Sequence, residues 1–425
     1  MQKLLLLLPL TIGCEAGKLT IDTGVGPDSQ DSDADSDTDT DADSDADSDT
    51  DTDTDTEPVV LPDITVDCEG GADYRVIQEA IDASVTGDII SVAPCTYRER
   101  LFTYGKSIEV YGTDGSEVTI VDAEFGGTLL NVEDGEGAWT RFAGFTFTGG
   151  TDTDGGAAVE LYSSALDLED IVITGCDDGY AMIHSLVGWL DLTDVTIVDN
   201  DFVDGGAAIY ADGGSLTARR LTADCDEDGW YALYQHNASL LDETTLTCAN
   251  GYGFYSYHGE LNILRSTVTG GIAGVYTEDE DDTPSERALI SNSAIGGGAV
   301  GLDARYVHVE LTNSVLWGGE AAFSYLLIDT ASDVTNSVFT ASACGISGDG
   351  GSLGVTYSAF WDNAADTCTA VGTPTVSADP LFTDFPDDLS LQTGSPLIDA
   401  GHPSEAYNDA DGSRNDIGRW GGPLP

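Results

Sequence analysis

The segment 288–342 constrains the fold more than any other part of the chain. It contains Ser-Asn-Ser-Ala-Ile, Thr-Asn-Ser-Val-Leu and Thr-Asn-Ser-Val-Phe, which set Asn292, Asn313 and Asn336 at intervals of 21 and 23 residues. Self-similarity at a period of about 20–30 residues is the mark of a solenoid. Around each Asn the apolar residues alternate with period two, so the repeat is built from strands and turns. The same strand pair recurs at 166–175, 190–200, 216–225, 261–271, 309–319 and 353–363. A third strand follows glycine at 155–162, 179–186, 205–212, 229–236, 251–258 and 271–278. The expectation is an all-β rod of about eleven coils, roughly 50 Å long at ~4.8 Å per coil. Inward Ile, Val and Leu fill its core, and an Asn ladder at one turn satisfies backbone groups as stacked amides do in other cross-β arrays.

Charge narrows the partners. The 425-residue chain has 14 Lys and Arg against 77 Asp and Glu, a formal charge of −63. Phosphate contacts need a basic surface, so nucleic acid is excluded as a partner, and anionic lipid head groups are repelled. Residues 1–14, MQKLLLLLPLTIGC, have one Lys, an unbroken apolar run and small residues before Cys14, the pattern of a secretory signal. The run is too short to span a membrane as a helix. Its end resembles a bacterial lipobox, which implies that Cys14 carries a lipid anchor and that the protein resides at the outer membrane and cell surface. Residues 15–57 hold an acidic Asp-Ser/Thr/Ala tract with Asp at every odd position from Asp31 to Asp55. Such a tract cannot bury apolar surface and repels itself, so a disordered stalk is expected.

The folded part starts at residue 58. In 74–83 the residues Val76, Ile77, Ala80 and Ile81 form one stripe, which predicts a short amphipathic helix capping the first coil. The segment DYRVIQEAIDASVTGDIISVAPCTYRERL resembles the opening of right-handed parallel β-helix proteins of the pectate-lyase-like superfamily, with Pro94-Cys95-Thr96-Tyr97 where those proteins have PGTY. Right-handedness is what this resemblance implies. Residues 379–422 resemble the C-terminal segment common in surface β-helix proteins, with DP-x-F, SP-x-IDAG and D-x-DG…DIG elements. The GGAAV, GGAAI and FWDN stretches resemble repeats of bacterial polymorphic outer membrane proteins. The implied layout is a single-stranded right-handed parallel β-helix with its cap over 58–385 and a closing segment over 386–425, a monomer. These resemblances speak to architecture; such folds host lyases, hydrolases, adhesins and spacers alike.

With Cys14 assigned to lipid, seven cysteines remain. Cys225 and Cys248, and Cys344 and Cys368, are each one coil apart, and Cys68 and Cys95 flank the capping helix. Three disulfides are expected in an oxidising compartment, with Cys176 left free and buried.

Three clusters could carry function. Aligning the third strands on Val159, Ile183, Ile209, Leu233, Phe254 and Val275 turns Glu160, His184, Tyr210, Tyr234, Tyr255 and Tyr276 outward, with Tyr162, His236 and Tyr257 two residues further on. A strip of Tyr and His suits a linear sugar polymer, whose apolar ring faces stack on aromatic rings. The same column can instead serve only to stabilise the sheet. The turns at 175–179, 199–205 and 224–229 stack acids at coil spacing. There Asp178, Asp201 and Asp226 are the candidate calcium ligands, against the simpler reading of a solvated acidic ridge. The loop Asp409–Asp416 contains Asp-x-Asp-Gly without the bidentate Glu of a calcium loop, so a turn held by Asx hydrogen bonds is expected. The functional expectation is surface-anchored binding of a polysaccharide. The alternatives are a calcium-dependent polysaccharide lyase or glycoside hydrolase, with Arg219 and Arg220 beside an acidic turn, and a structural spacer or adhesin.

Overall fold

The computed structural model describes residues 61–423 except 178, 226, 280–285, 329–331 and 370–375. The expected signal segment with Cys14, the acidic tract, Asp178 and Asp226 therefore lie outside the described residues. The rest is a parallel β-solenoid of about twelve turns, close to the eleven expected. Three ladders of strands run its length. The first passes through Ile64–Val66, Ile89–Val92, Glu109–Gly112, Leu261–Leu264 and Val307–Thr312. The second includes Thr245–Cys248, Ala294–Gly297 and Val315–Gly318. The third includes Gly156–Tyr162, Tyr252–Tyr257 and Ala273–Glu278.

The Asn-Ser repeat makes the corner between the first and second ladders. Asn292, Asn313 and Asn336 have φ of 50°, 46° and 54°, the left-handed region that Asn tolerates better than most residues. The next residue is a serine with no exposed surface at Ser293, Ser314 and Ser337. Each serine hydroxyl donates to the carbonyl two residues back, at 2.8, 2.9 and 3.1 Å. Each also accepts the amide of its counterpart in the preceding coil, at 3.2 Å. A buried hydroxyl ladder thus covers the amides that the sharp corner removes from the sheet.

The core holds stacked Phe, Ile, Leu and Val. Phe339 lies on Phe360 with ring centroids 5.1 Å apart, both fully buried. The N-terminal helix spans Ile77–Ala83 and buries Ile77, Ala80 and Ile81. Val76 ends up at the helix cap and exposed instead of on the buried stripe. The helix amides of Ile77 and Gln78 donate to the Glu99 carboxylate at 2.9 and 2.7 Å, which anchors the cap to the coil below.

The C-terminal segment packs sideways on the rod. Ala294, Val315, Val338 and Ala359 form an outward apolar row on the second ladder, covered by Leu389, Leu397 and Ile417. The Asn ladder fastens it. Asn292 Nδ2 donates to the carbonyls of Arg419 and Gly421, and Asn313 Nδ2 reaches the Asp416 and Gly418 carbonyls. The Asn336 side chain accepts the amide of His402 at 2.7 Å. The Asn ladder satisfies backbone groups, as expected, and the groups it serves belong to this closing segment.

The disulfides join Cys68 to Cys95, Cys225 to Cys248 and Cys344 to Cys368, and Cys176 is a free, buried thiol. Burial raises the Cys176 pKa to about 11, so it is inert as a nucleophile.

Candidate functional site

The third ladder carries the site. Its inward column, Val159, Ile183, Ile209, Leu233, Phe254 and Val275, has no exposed surface. Strand register places Glu160, His184, Tyr210, Tyr234, Tyr255 and Tyr276 beside one another on the outer side. The rings stack nearly parallel. Tyr210 and Tyr234 are 4.4 Å apart at 5°, Tyr234 and Tyr255 5.5 Å at 10°, and Tyr255 and Tyr276 4.6 Å at 10°. Parallel rings at this spacing cover each other's faces. What they turn outward is ring edge and hydroxyl, not the flat faces expected for sugar stacking.

The ends of the row are closed. His184 is 7% exposed, and its Nδ1 lies 2.9 Å from both Glu160 carboxylate oxygens. Tyr276 is 8% exposed; its hydroxyl donates to Glu278, and the Arg305 guanidinium lies over its ring. The accessible stretch is therefore Tyr210, Tyr234 and Tyr255, all half-buried. His236 and Tyr257 lie beside it with ring centroids 5.7 Å apart, and His236 Nδ1 is 2.7 Å from Asp212 Oδ1. Tyr162 does not join them. It pairs with Leu186, which pairs with Asp212, so two coils separate it from His236.

Three further tyrosines widen the strip. Tyr231 packs on Tyr252 at 5.7 Å, each meets Tyr255 edge to face, and Tyr180 meets Tyr210 at 5.3 Å. In an ideal strand residues three apart face opposite ways, yet Tyr231 and Tyr234 touch at 5.4 Å. Period-two reasoning therefore hid these residues. The repeated Tyr-x-x-Tyr spacing at 231/234 and 252/255 was the signal available to find them.

Burial is the main cause that raises the phenol pKa values across the strip. Tyr255 is pushed up to about 12, and Tyr210, Tyr231, Tyr234, Tyr252 and Tyr276 also rise. At neutral pH these hydroxyls are protonated and can both donate and accept hydrogen bonds. With Asp212 and His236 alongside, the strip can bind a ligand rich in hydroxyl groups along the rod axis.

The other clusters are arranged differently. Asp201 is exposed. The turn beside it is held by the Asn200 amide, which accepts from the Cys176 amide and donates to the Ile173 and Val198 carbonyls, all at 3.0 Å. Arg220 forms a two-point pair with Asp194 at 2.6 and 2.7 Å. Arg219 sits on the first ladder opposite Thr193 and Asp242, a different face from the tyrosines. In the C-terminal loop the Asp409 carboxylate accepts amides of Asp416 and Gly422, and Asp411 accepts the amide of Ser413. Those bonds make it an Asx-type turn.

No family model matches the sequence, and no curated protein matches it. Among solved structures the chain is similar to the A-module of a mannuronan C-5 epimerase from Azotobacter vinelandii. The identity is 13%, covering 71% of this chain and 93% of that one, with a TM-score of 0.46. A pectate lyase matches at 14% identity over 80% of this chain and 89% of its own, with a TM-score of 0.40. PfbA, a surface adhesin of Streptococcus pneumoniae, matches at 12% identity over 71% and 90%, with a TM-score of 0.44. At these identities and scores the activities of those proteins do not transfer to this chain.

Proposed function

We propose that this chain is a cell-surface protein, lipid-anchored at Cys14, that binds an uncharged polysaccharide along the tyrosine strip of its third ladder. The observation that carries the proposal is the in-register row Tyr210, Tyr234 and Tyr255, flanked by Tyr231, Tyr252, His236 and Tyr257. Its hydroxyls repeat at the coil spacing of ~4.8 Å. A sugar polymer running parallel to the rod can meet them one after another. Contact is by hydrogen bonds from hydroxyl and ring edge, because the ring faces are already covered. The formal charge of −63, with Glu160, Asp212 and Glu278 around the strip, repels acidic polymers and favours neutral ones.

The test is the triple variant Tyr210→Phe, Tyr234→Phe, Tyr255→Phe, assayed for retention on a panel of neutral polysaccharides. Phe keeps the stack and removes only hydroxyls. At about 0.5–1.5 kcal/mol for each lost hydrogen bond, the affinity falls at least tenfold. Unchanged retention by a folded triple variant would sink the proposal.

A further inference from the structure

Beside the tyrosine strip lies a trio that the proposed binding does not use. His258 follows Tyr257, Asp279 follows Glu278, and Glu286 opens a strand of the first ladder, Glu286–Ser291. His258 Nδ1 is 3.5 Å from Asp279 Oδ1 and 3.2 Å from Glu286 Oε1. One ligand atom from each residue lies within 4.8 Å of the others. We infer that His258, Asp279 and Glu286 form a binding site for a divalent transition-metal ion of the zinc class.

Four features support the assignment. The first is distance. Metal–ligand bonds of about 2.0–2.2 Å at the tetrahedral angle set ligand atoms about 3.3–3.6 Å apart, which the two measured separations approach. The second is the imidazole nitrogen. His258 Nδ1 is buried, and despite its closeness to two carboxylates it has hydrogen-bond geometry to neither. The third is charge. The Asp279 side chain has no exposed surface and that of Glu286 is 17% exposed. Covering two carboxylates side by side costs desolvation, which a bound divalent ion offsets. The fourth is support. The His258 amide donates to the Glu278 carbonyl at 2.8 Å, the Asp279 amide donates to the Arg305 carbonyl at 3.1 Å, and the second Glu286 oxygen accepts the amide of Gly259. One nitrogen with two carboxylates suits zinc better than calcium, which takes oxygen ligands. A protein holding three ligands leaves a position for water or a ligand hydroxyl.

The experiment compares the full-length protein with Asp279→Asn, which keeps the side-chain shape, and with His258→Ala. Each is loaded with Zn²⁺, desalted through a weak chelator that strips the acidic tract, and assayed for bound metal. Co²⁺ then serves as a spectroscopic probe. The expected result is one tightly held equivalent in the native protein, lost in both variants, with a Co²⁺ ligand-field band that disappears in parallel. Equal metal in all three proteins, or none retained by the native protein, would overturn the assignment and leave an ion cluster of histidine and carboxylates. Should His258→Ala fail to fold, Asp279→Asn and the native Co²⁺ spectrum decide.

Discussion

Replacing Asn313 with Ala or Gly separates two tasks carried by one residue. Its side chain is 1% exposed. Its Nδ2 lies 3.1 Å from the Asp416 carbonyl, 3.3 Å from the Gly418 carbonyl and 3.2 Å from Asn415 Oδ1. Its Oδ1 accepts from Asn415 and Asn336 at 3.3 and 3.4 Å. The amide has two donors to share among three acceptors, so removal leaves about two buried carbonyl or amide groups unpaired. At about 1–3 kcal/mol for each, the closing segment loses roughly 3 kcal/mol of docking energy. Ala adds about 1 kcal/mol because it enters the left-handed region less readily than Asn, and Gly does not. A solenoid is stabilised coil by coil, so the effect stays local. Hydrogen exchange of peptides spanning 395–422 should accelerate by about a hundredfold in Asn313→Gly and more in Asn313→Ala, while coils before residue 240 keep their protection. Native-like exchange in Asn313→Gly would refute the reasoning, because only the backbone task would then matter.

Three more outcomes follow from the same contacts. Phe339→Ala removes a fully buried ring between Leu316 and Phe360 and should cost about 3–5 kcal/mol, read as a fall in the denaturant midpoint. The strip phenols have folded pKa values above the ordinary value of about 10, Tyr255 at about 12. Their contribution is whole below pH ~10 and declines as pH rises from there through the folded values. Thermal midpoints should therefore fall above pH ~10, and phenolate absorbance should show a class of tyrosines that ionise late or only on unfolding. Under mild native reduction, Cys344–Cys368, with Cys368 exposed, and the half-buried Cys68–Cys95 should open before the buried Cys225–Cys248. Thiol labelling followed by peptide mapping reads that order.

Much of the architecture was legible because a parallel β-solenoid writes its register into the sequence. Cys225 sits opposite Cys248, and Tyr210 opposite Tyr234, because each coil stacks its residues on those of the next. The Asn ladder was legible as a means of satisfying backbone groups, but the identity of those groups was not. Nothing local shows that Ser293 accepts an amide from the coil before or that Asn292 holds residues 419 and 421. Those contacts span 27 residues in one case and more than 120 in the other. Ring orientation was equally hidden, since sequence sets which residues share a face but not whether rings lie face to face. The trio His258, Asp279 and Glu286 escaped because its members come from the ends of different strands rather than from one motif with metal-ligand spacing.

The most direct test of polysaccharide binding uses the native full-length protein with neutral and acidic polysaccharides, with calcium and with chelator, recording both retention and release of new chain ends. The account predicts retention on at least one neutral polymer, weak or no retention on acidic ones, and no new ends under either condition. New chain ends lost on chelation would contradict it and make the rod a calcium-dependent enzyme. Retention on no polymer would reduce the tyrosine strip to a ladder that only stabilises its sheet.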